Sequence, residues 1–141
     1  MPKPESQSKS PLIGWTPELE SLKALSVRQP YAWLIINGFK DIENRSWRTN
    51  HRGPLLIHAS QNGEYFNDDN CDQIESETGI VIPQELDMGG IVGVVDIADC
   101  VQKHNSLWFG GPWGWVLANA RQLPFRECKG AVSLFKPLAK G

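Results

Sequence analysis

Two periods of apolar and polar residues alternate along this chain, and the changes between them mark its elements. Lys23 to Val27 reads as a first strand. Pro30 then opens a short helix, since its ring pre-sets φ and its missing N–H costs nothing at the first helical position. Tyr31, Leu34 and Ile35 fall on one helical face, and Gly38 can end the helix in the left-handed conformation. Asp41 to Arg48 reads as a strand from its flanks, although its content is unusual. Pro54 to Ser60 is a short strand with Leu55 and Ile57 on one side and Leu56 and His58 on the other. Glu64 to Thr78 reads as an acidic surface helix stopped by Gly79. Ile91 to Val101, rich in Val and Ile, is the strongest strand. Gly114 to Ala118 and Ala131 to Phe135 complete the set, with Gly110, Gly111 and Pro112 marking a turn.

The strands lie too close together for repeated βαβ units. The pattern predicts an α+β fold, a small mixed or antiparallel β-barrel with two main helices at its ends. Residues 1–20 are poor in apolar content and are expected to form a loose tail, which Leu12, Ile13 and Trp15 could dock in part. The folded domain is expected over 22–137.

Composition narrows the class. A chain of 141 residues suits one domain, and a 40% hydrophobic fraction suits a packed one. No apolar run approaches the ~20 residues of a membrane span, and Met1 to Pro11 lacks a signal peptide's apolar stretch. Cys71, Cys100 and Cys128 are odd in number and form no CxxC pair, which points to a reducing cytoplasm. His51, His58 and His104 lack ligand spacing, so no metal and no cofactor are expected. Walker, GxGxxG and GxSxG motifs are absent, which withdraws support from triphosphate hydrolysis, dehydrogenase and serine hydrolase classes.

Charge is unevenly placed beneath a net −2. Arg28 to His58 holds five Lys/Arg and two Asp/Glu, and Arg121 to Lys140 holds five basic residues and one acid. Glu64 to Asp99 holds ten Asp/Glu and no Lys or Arg, which reads first as a solvated face. The near-neutral total disfavours indiscriminate duplex binding and leaves room for a local basic cleft.

Leu25 to Ser60 carries the candidate chemistry. Strand alternation puts Glu43, Arg45 and Trp47 on one side and Ile42, Asn44 and Ser46 on the other. A carboxylate that accepts from a base, a guanidinium for phosphate or base oxygens and an indole to stack on are what a base-reading surface needs. The same residues also fit a surface ion pair with a core Trp. Lys40 follows the helix-ending Gly38 and stands at the mouth between helix and strand. Arg48, His51 and Arg52 suit phosphate contact, or simple solvation, on the next loop. His58 suits a hydrogen-bonded structural role or a proton shuttle, and Trp108 and Trp113 could wall a cleft.

Gly38 to Arg45 reads GxKxxExR, preceded by SVRQPYAWLIIN and followed by RGPLLIHAS, GGIVGVVDIADC and GWVL. In this order the motifs resemble the ASCH family, whose fold resembles the PUA barrel of RNA-modification proteins. The resemblance covers roughly residues 22–137. It implies that Lys40, Glu43 and Arg45 face a ligand in a cleft between barrel and first helix, with Arg28, Gln29 and Trp33 nearby. It also implies an RNA-related role, since relatives include RNA-binding modules, an N4-acetylcytidine amidohydrolase and a ribonuclease. The amidohydrolase branch has a Thr nucleophile three residues after the motif Lys, where this chain has Glu43. A carboxylate replaces that hydroxyl poorly in acyl transfer, although Lys40 and Glu43 could act as a catalytic acid–base pair on water. The expected partner is RNA or a nucleoside, with no membrane, and the chain is expected to be a monomer or weak dimer. Nucleic-acid contacts are expected from Arg28, Gln29, Trp33, Lys40, Glu43, Arg45, Trp47, Arg48 and Arg52.

Overall fold

The structure, a computed structural model, describes residues 8–137. The elements in chain order are α1 (Pro17–Glu20), β1 (Ala24–Val27), α2 (Tyr31–Ile36), β2 (Ile42–Arg45), β3 (Gly53–Ala59), α3 (Asp68–Thr78), β4 (Gly90–Val101) and β5 (Trp113–Glu127). The five strands form one mixed sheet in the order β1-β3-β4-β5-β2. β1 runs parallel to β3, and the other neighbours are antiparallel.

The long β4–β5 ladder shifts register three times, between Ile91 and Gly93, Val94 and Asp96, and Ile97 and Asp99. Such bulges bend a strand and raise its twist. The sheet curls into a half-barrel, and its two outer strands, β1 and β2, come within side-chain reach at Ser26 and Arg45. The fold is therefore α+β, as the pattern predicts, and consistent with the PUA-like barrel that the family resemblance implies.

α2 is apolar nearly all round and is buried on two sides. Ala32, Ile35 and Ile36 pack on the sheet with Leu25, Leu55, Ile57, Val95 and Trp115. Leu34 instead meets Ile74 of α3 and Ile82. Gly93 permits the close approach of α2: a Cβ there would come 2.5 Å from the Arg121 carbonyl oxygen and 2.6 Å from Ile36 Cδ1. The other sheet face buries Ala24, Leu56, Ile91, Val94 and Leu123. α3 is capped by the Asn67 side chain and ended by Gly79 at φ 77°. No helix among the described residues is long and apolar enough to cross a membrane.

Several boundaries differ from the sequence reading. Tyr31, Leu34 and Ile35 do not share one environment, because α2 is clasped between sheet and α3. Pro30 stands one place earlier than expected, at the N-cap. The strand predicted to Arg48 stops at Arg45, and Trp47 packs edge-on against Trp115 with ring centroids 4.8 Å apart. β5 runs on to Glu127 through a polar stretch with Pro124, because the bulged ladder leaves Pro124 in the register shift opposite Ile91 and Gly93. The predicted strand at 131–135 is only a bridge from Phe135 to Ala24.

Residues 1–7 of the expected tail lie outside the described residues. Ile13 and Trp15 dock onto the second core face, while the Leu12 side chain stays exposed. Trp15 Nε1 donates to the Pro124 carbonyl at 2.9 Å, and Arg126 lies 4.1 Å over the indole. Trp15→Ala is expected to lower stability by about 1–2 kcal/mol, less than a fully buried Trp would lose. Urea unfolding checks this, and an unchanged midpoint would mean that the segment contributes nothing to the fold.

Candidate functional site

Gly38, at φ 84°, turns the chain out of α2, and the Leu34 carbonyl accepts from both Phe39 N and Lys40 N. This tight turn folds Lys40 back beneath the helix. Lys40 is only 6% exposed, and its amine donates to the Ile42 carbonyl. The amine also lies 3.9 Å from Glu43 Oε1, 5.9 Å from the centre of the Tyr31 ring and 5.7 Å from that of Trp108. Glu43 is 8% exposed, and its Oε2 accepts from Arg45 Nε at 3.0 Å. Arg45 reaches on across the barrel seam to donate to the Ser26 carbonyl at 2.8 Å.

The motif thus sets a cation, an anion and a cation in a row. Its two cations also cover backbone carbonyls of the sheet's two outer strands. Uncovered outer strands expose unpaired groups, so the same side chains close the half-barrel and charge its cleft.

Burial pushes the Lys40 amine below its ordinary value of 10.5, against the smaller upward pulls of Glu43 and Asp41. Between its folded value and 10.5 the unfolded chain binds the extra proton. Lys40 therefore opposes folding below that window, and the opposition fades as pH rises through it. The stability of the wild type relative to Lys40→Met is expected to increase from neutral pH toward 10.5. Paired denaturation curves over this range check it, and a flat difference would mean that burial does not perturb the amine.

Two cavities meet at Glu43. One, of about 430 Å³, lies between α2, α3 and the loop before β5, lined by Tyr31, Lys40, Glu43, Gln73, Glu77 and Trp108. The other, of about 380 Å³, is lined by Arg28, Tyr31, Glu43, Arg45, Trp47 and Tyr65. They share Tyr31, Glu43 and Asn44 and form one cleft.

Lys40, Glu43, Arg45, Trp47 and Arg28 are brought together, although Arg28 is already paired with Glu64 at 2.6 Å. Gln29 is 2% exposed and clamps the Asp87 carbonyl and the Trp33 N–H, behind the cleft. Trp33 rests on Phe39 and, with Gln29, lines a different cavity. Arg48 is exposed and pairs with no described residue. Arg52 donates to the Thr49 and His51 carbonyls and lies 3.6 Å from Asp99, outside both cavities. Trp108 walls the cleft, whereas Trp113 lies opposite Arg45 in the β2–β5 ladder and lines neither cavity. His58 is fully buried and doubly hydrogen-bonded.

Asn44 is the residue that sequence reasoning passed over. Its Oδ1 accepts from Gly110 N at 2.8 Å and Gly111 N at 3.1 Å, and its Nδ2 donates to the Trp108 carbonyl at 2.9 Å. It therefore holds the loop that presents Trp108. Alternation does aim Asn44 away from Glu43, but only the folded position of the loop shows what it meets. The α3 wall gave no motif either, since its place depends on Leu34, Ile74 and Ile82 packing together.

A curled mixed sheet of this order, with a GxKxxExR cleft beside α2, defines a PUA-like barrel of a particular kind. The ASCH domain model matches residues 25–123, and the chain belongs to that family. Among curated proteins it is similar to Activating signal cointegrator 1 of Mus musculus and of Homo sapiens, each 32% identical over 85 residues. The match covers 56% of this chain but 14% of either relative, so the chain corresponds to a small part of those proteins.

Proposed function

We propose that the cleft binds single-stranded RNA through one base, which enters beside Lys40 and Glu43. The observation that carries this reading is a charged row beneath aromatic walls: Lys40, Glu43 and Arg45 under Tyr31, Trp108, Trp47 and Tyr65. Aromatic rings stack any base, the carboxylate accepts from base N–H groups, and the cations take base oxygens or phosphate.

The charge pattern sets an orientation. Gln73 and Glu77 of α3 border the Lys40 end, and α3 opens with Asp68 and Asp69. That end repels phosphate and suits a base. The phosphates lie toward Arg28, Arg45 and exposed Arg48. Hydrolysis of a modified nucleoside by Lys40 and Glu43 is the second reading. It has less support, because the Glu43 carboxylate is already held by Arg45 at 3.0 Å.

Arg48 gives a clean test, as its loss removes no contact with a described residue. Arg48→Ala is expected to weaken RNA binding several-fold and to lower the salt slope by about one. Neutralising Lys129 and Lys136 together should change less. Anisotropy titrations of a labelled single strand at several salt concentrations distinguish these. A larger effect from the Lys129 and Lys136 pair would move the RNA away from the motif, and no binding by the wild type would end the reading.

A further inference from the structure

A second constellation adjoins the motif cleft: Ser26 borders that cleft as well as a further cavity, which its partner His58 also lines. Ser26 of β1 and His58 of β3 are opposite each other in the parallel ladder. Ser26 Oγ is 2.8 Å from His58 Nδ1, and His58 Nε2 is 2.8 Å from the Cys128 carbonyl oxygen. A carbonyl can only accept, so Nε2 carries the ring proton and Nδ1 presents a lone pair. The Ser26 hydroxyl therefore donates to a neutral imidazole held in one tautomer and one orientation. A hydroxyl, a base in hydrogen-bond reach and a third group that orients the base are the working parts of an activated nucleophile.

The surroundings fit that reading. Ser26 is half-buried and faces a cavity of about 750 Å³ lined also by His58, Gly130, Ala131 and Val132. Gly130 lies over the pair: a Cβ there would come 2.7 Å from His58 Cε1 and 2.8 Å from Ser26 Oγ. The peptide N–H groups of Lys129, Gly130 and Ala131 bond no described residue, and all three residues line the cavity. Ala131 and Val132 border the cavity, and Val132, 95% exposed, offers apolar surface that a bound acyl chain would cover.

We infer that Ser26 and His58 form a nucleophile–base dyad that hydrolyses a small carboxylic ester with an apolar acyl group held in this cavity. Ser26 Oγ adds to the ester carbonyl carbon while its proton passes to His58 Nδ1. The carbon–oxygen bond to the alcohol then breaks, and the alcohol leaves with that proton, giving acyl-Ser26. Water adds to the acyl carbon as His58 takes one of its protons. The acid departs, and the proton returns to Ser26 Oγ. The sum is ester and water to acid and alcohol.

The test uses the full chain with a fluorophosphonate probe and with p-nitrophenyl butyrate. Phosphonylation is expected at Ser26 by peptide mass spectrometry, along with saturable butyrate release. Ser26→Ala should lower that release at least 100-fold when assayed well below its unfolding midpoint, which is expected to fall because His58 Nδ1 loses its partner. His58→Gln can still accept from Ser26 and donate to Cys128, yet it cannot take up a proton. A merely structural clasp would tolerate that change, whereas the dyad should lose at least 100-fold. Labelling at another residue, no labelling, or full hydrolysis by Ser26→Ala overturns the inference. If His58→Gln does not fold, labelling and Ser26→Ala decide. RNA binding by the motif cleft plays no part in any of these readouts.

Discussion

Glu43→Gln is expected to destabilise the domain by about 2–4 kcal/mol, a fall of roughly 10 °C in the unfolding midpoint. Gln keeps the shape and removes the one anion between Lys40 and Arg45, whose side chains are 6% and 21% exposed. Breaking a buried ion pair typically costs about 3–5 kcal/mol, and the partial exposure of Arg45 reduces that figure. The loss of Glu43 also removes the largest upward pull on the Lys40 amine, so its proton is held less tightly still. Binding changes separately. A base that donates to Glu43 would face an amide that can turn its own donor toward it, at about 1–3 kcal/mol for that base only. Titrations across the four bases and acetylated cytidine, run well below the variant's midpoint, isolate this part. A stability loss under ~1 kcal/mol would mark the row as a screened surface pair. Unchanged base preference would leave Glu43 a purely structural anion. If the row instead hydrolyses a nucleoside, turnover would vanish while substrate affinity held.

The octet from Gly38 to Arg45 was legible because its chemistry is local. A left-handed Gly, a Lys two residues on and an E-x-R pair on one strand place three charges together whatever else the chain does. The barrel was legible from the Val- and Ile-rich β4 and from strands too close for helical crossovers. The structural duty of the same charges was not legible. Nothing in the sequence says that Ser26 and Arg45 lie across the seam of a curled sheet, because they are brought there by the bulges of β4 and β5. Gln29 and Trp33 share the motif's neighbourhood in sequence yet point behind α2, since helix rotation and not proximity decides the face. The acidic run reads as a solvated face, and α3 is largely that, but one edge of it also walls the cleft. Ser26 and His58 are separated by 31 intervening residues and become partners only through the parallel β1–β3 register.

Asn44→Ala is expected to release the loop that carries Trp108, although Asn44 is one of the unspecified positions of the motif. Its side chain makes three hydrogen bonds, to Gly110 N, Gly111 N and the Trp108 carbonyl. At about 0.5–1.5 kcal/mol each, their combined loss is about 2–3 kcal/mol, part of it regained from water at the exposed loop. The loop is also tied by Ser106 Oγ, which donates to Asp41 at 2.6 Å, and by Trp108 on the Leu34 cluster, so the change is expected as local opening around Gly110 and Gly111 and not as global unfolding. Amide exchange at Gly110 and Gly111 should accelerate by about 100-fold if roughly 2.7 kcal/mol of local protection goes. Trp108 then no longer covers Lys40, and RNA affinity should fall about tenfold with the stacking wall, a stacked aromatic being worth about 1–3 kcal/mol. Asn44→Asp separates wall from charge. It keeps both accepted bonds, sets an oxygen against the Trp108 carbonyl and adds an anion beside Glu43. It should protect Gly110 and Gly111 nearly as well as Asn does, yet bind RNA more weakly and with a weaker response to salt, since the added anion offsets one of the cleft's cations. Faster exchange with equal affinity in the Ala variant would remove Trp108 from the site and leave the base to Tyr31, Trp47 and Tyr65, whereas unchanged exchange would mean that Asn44 does not hold the loop.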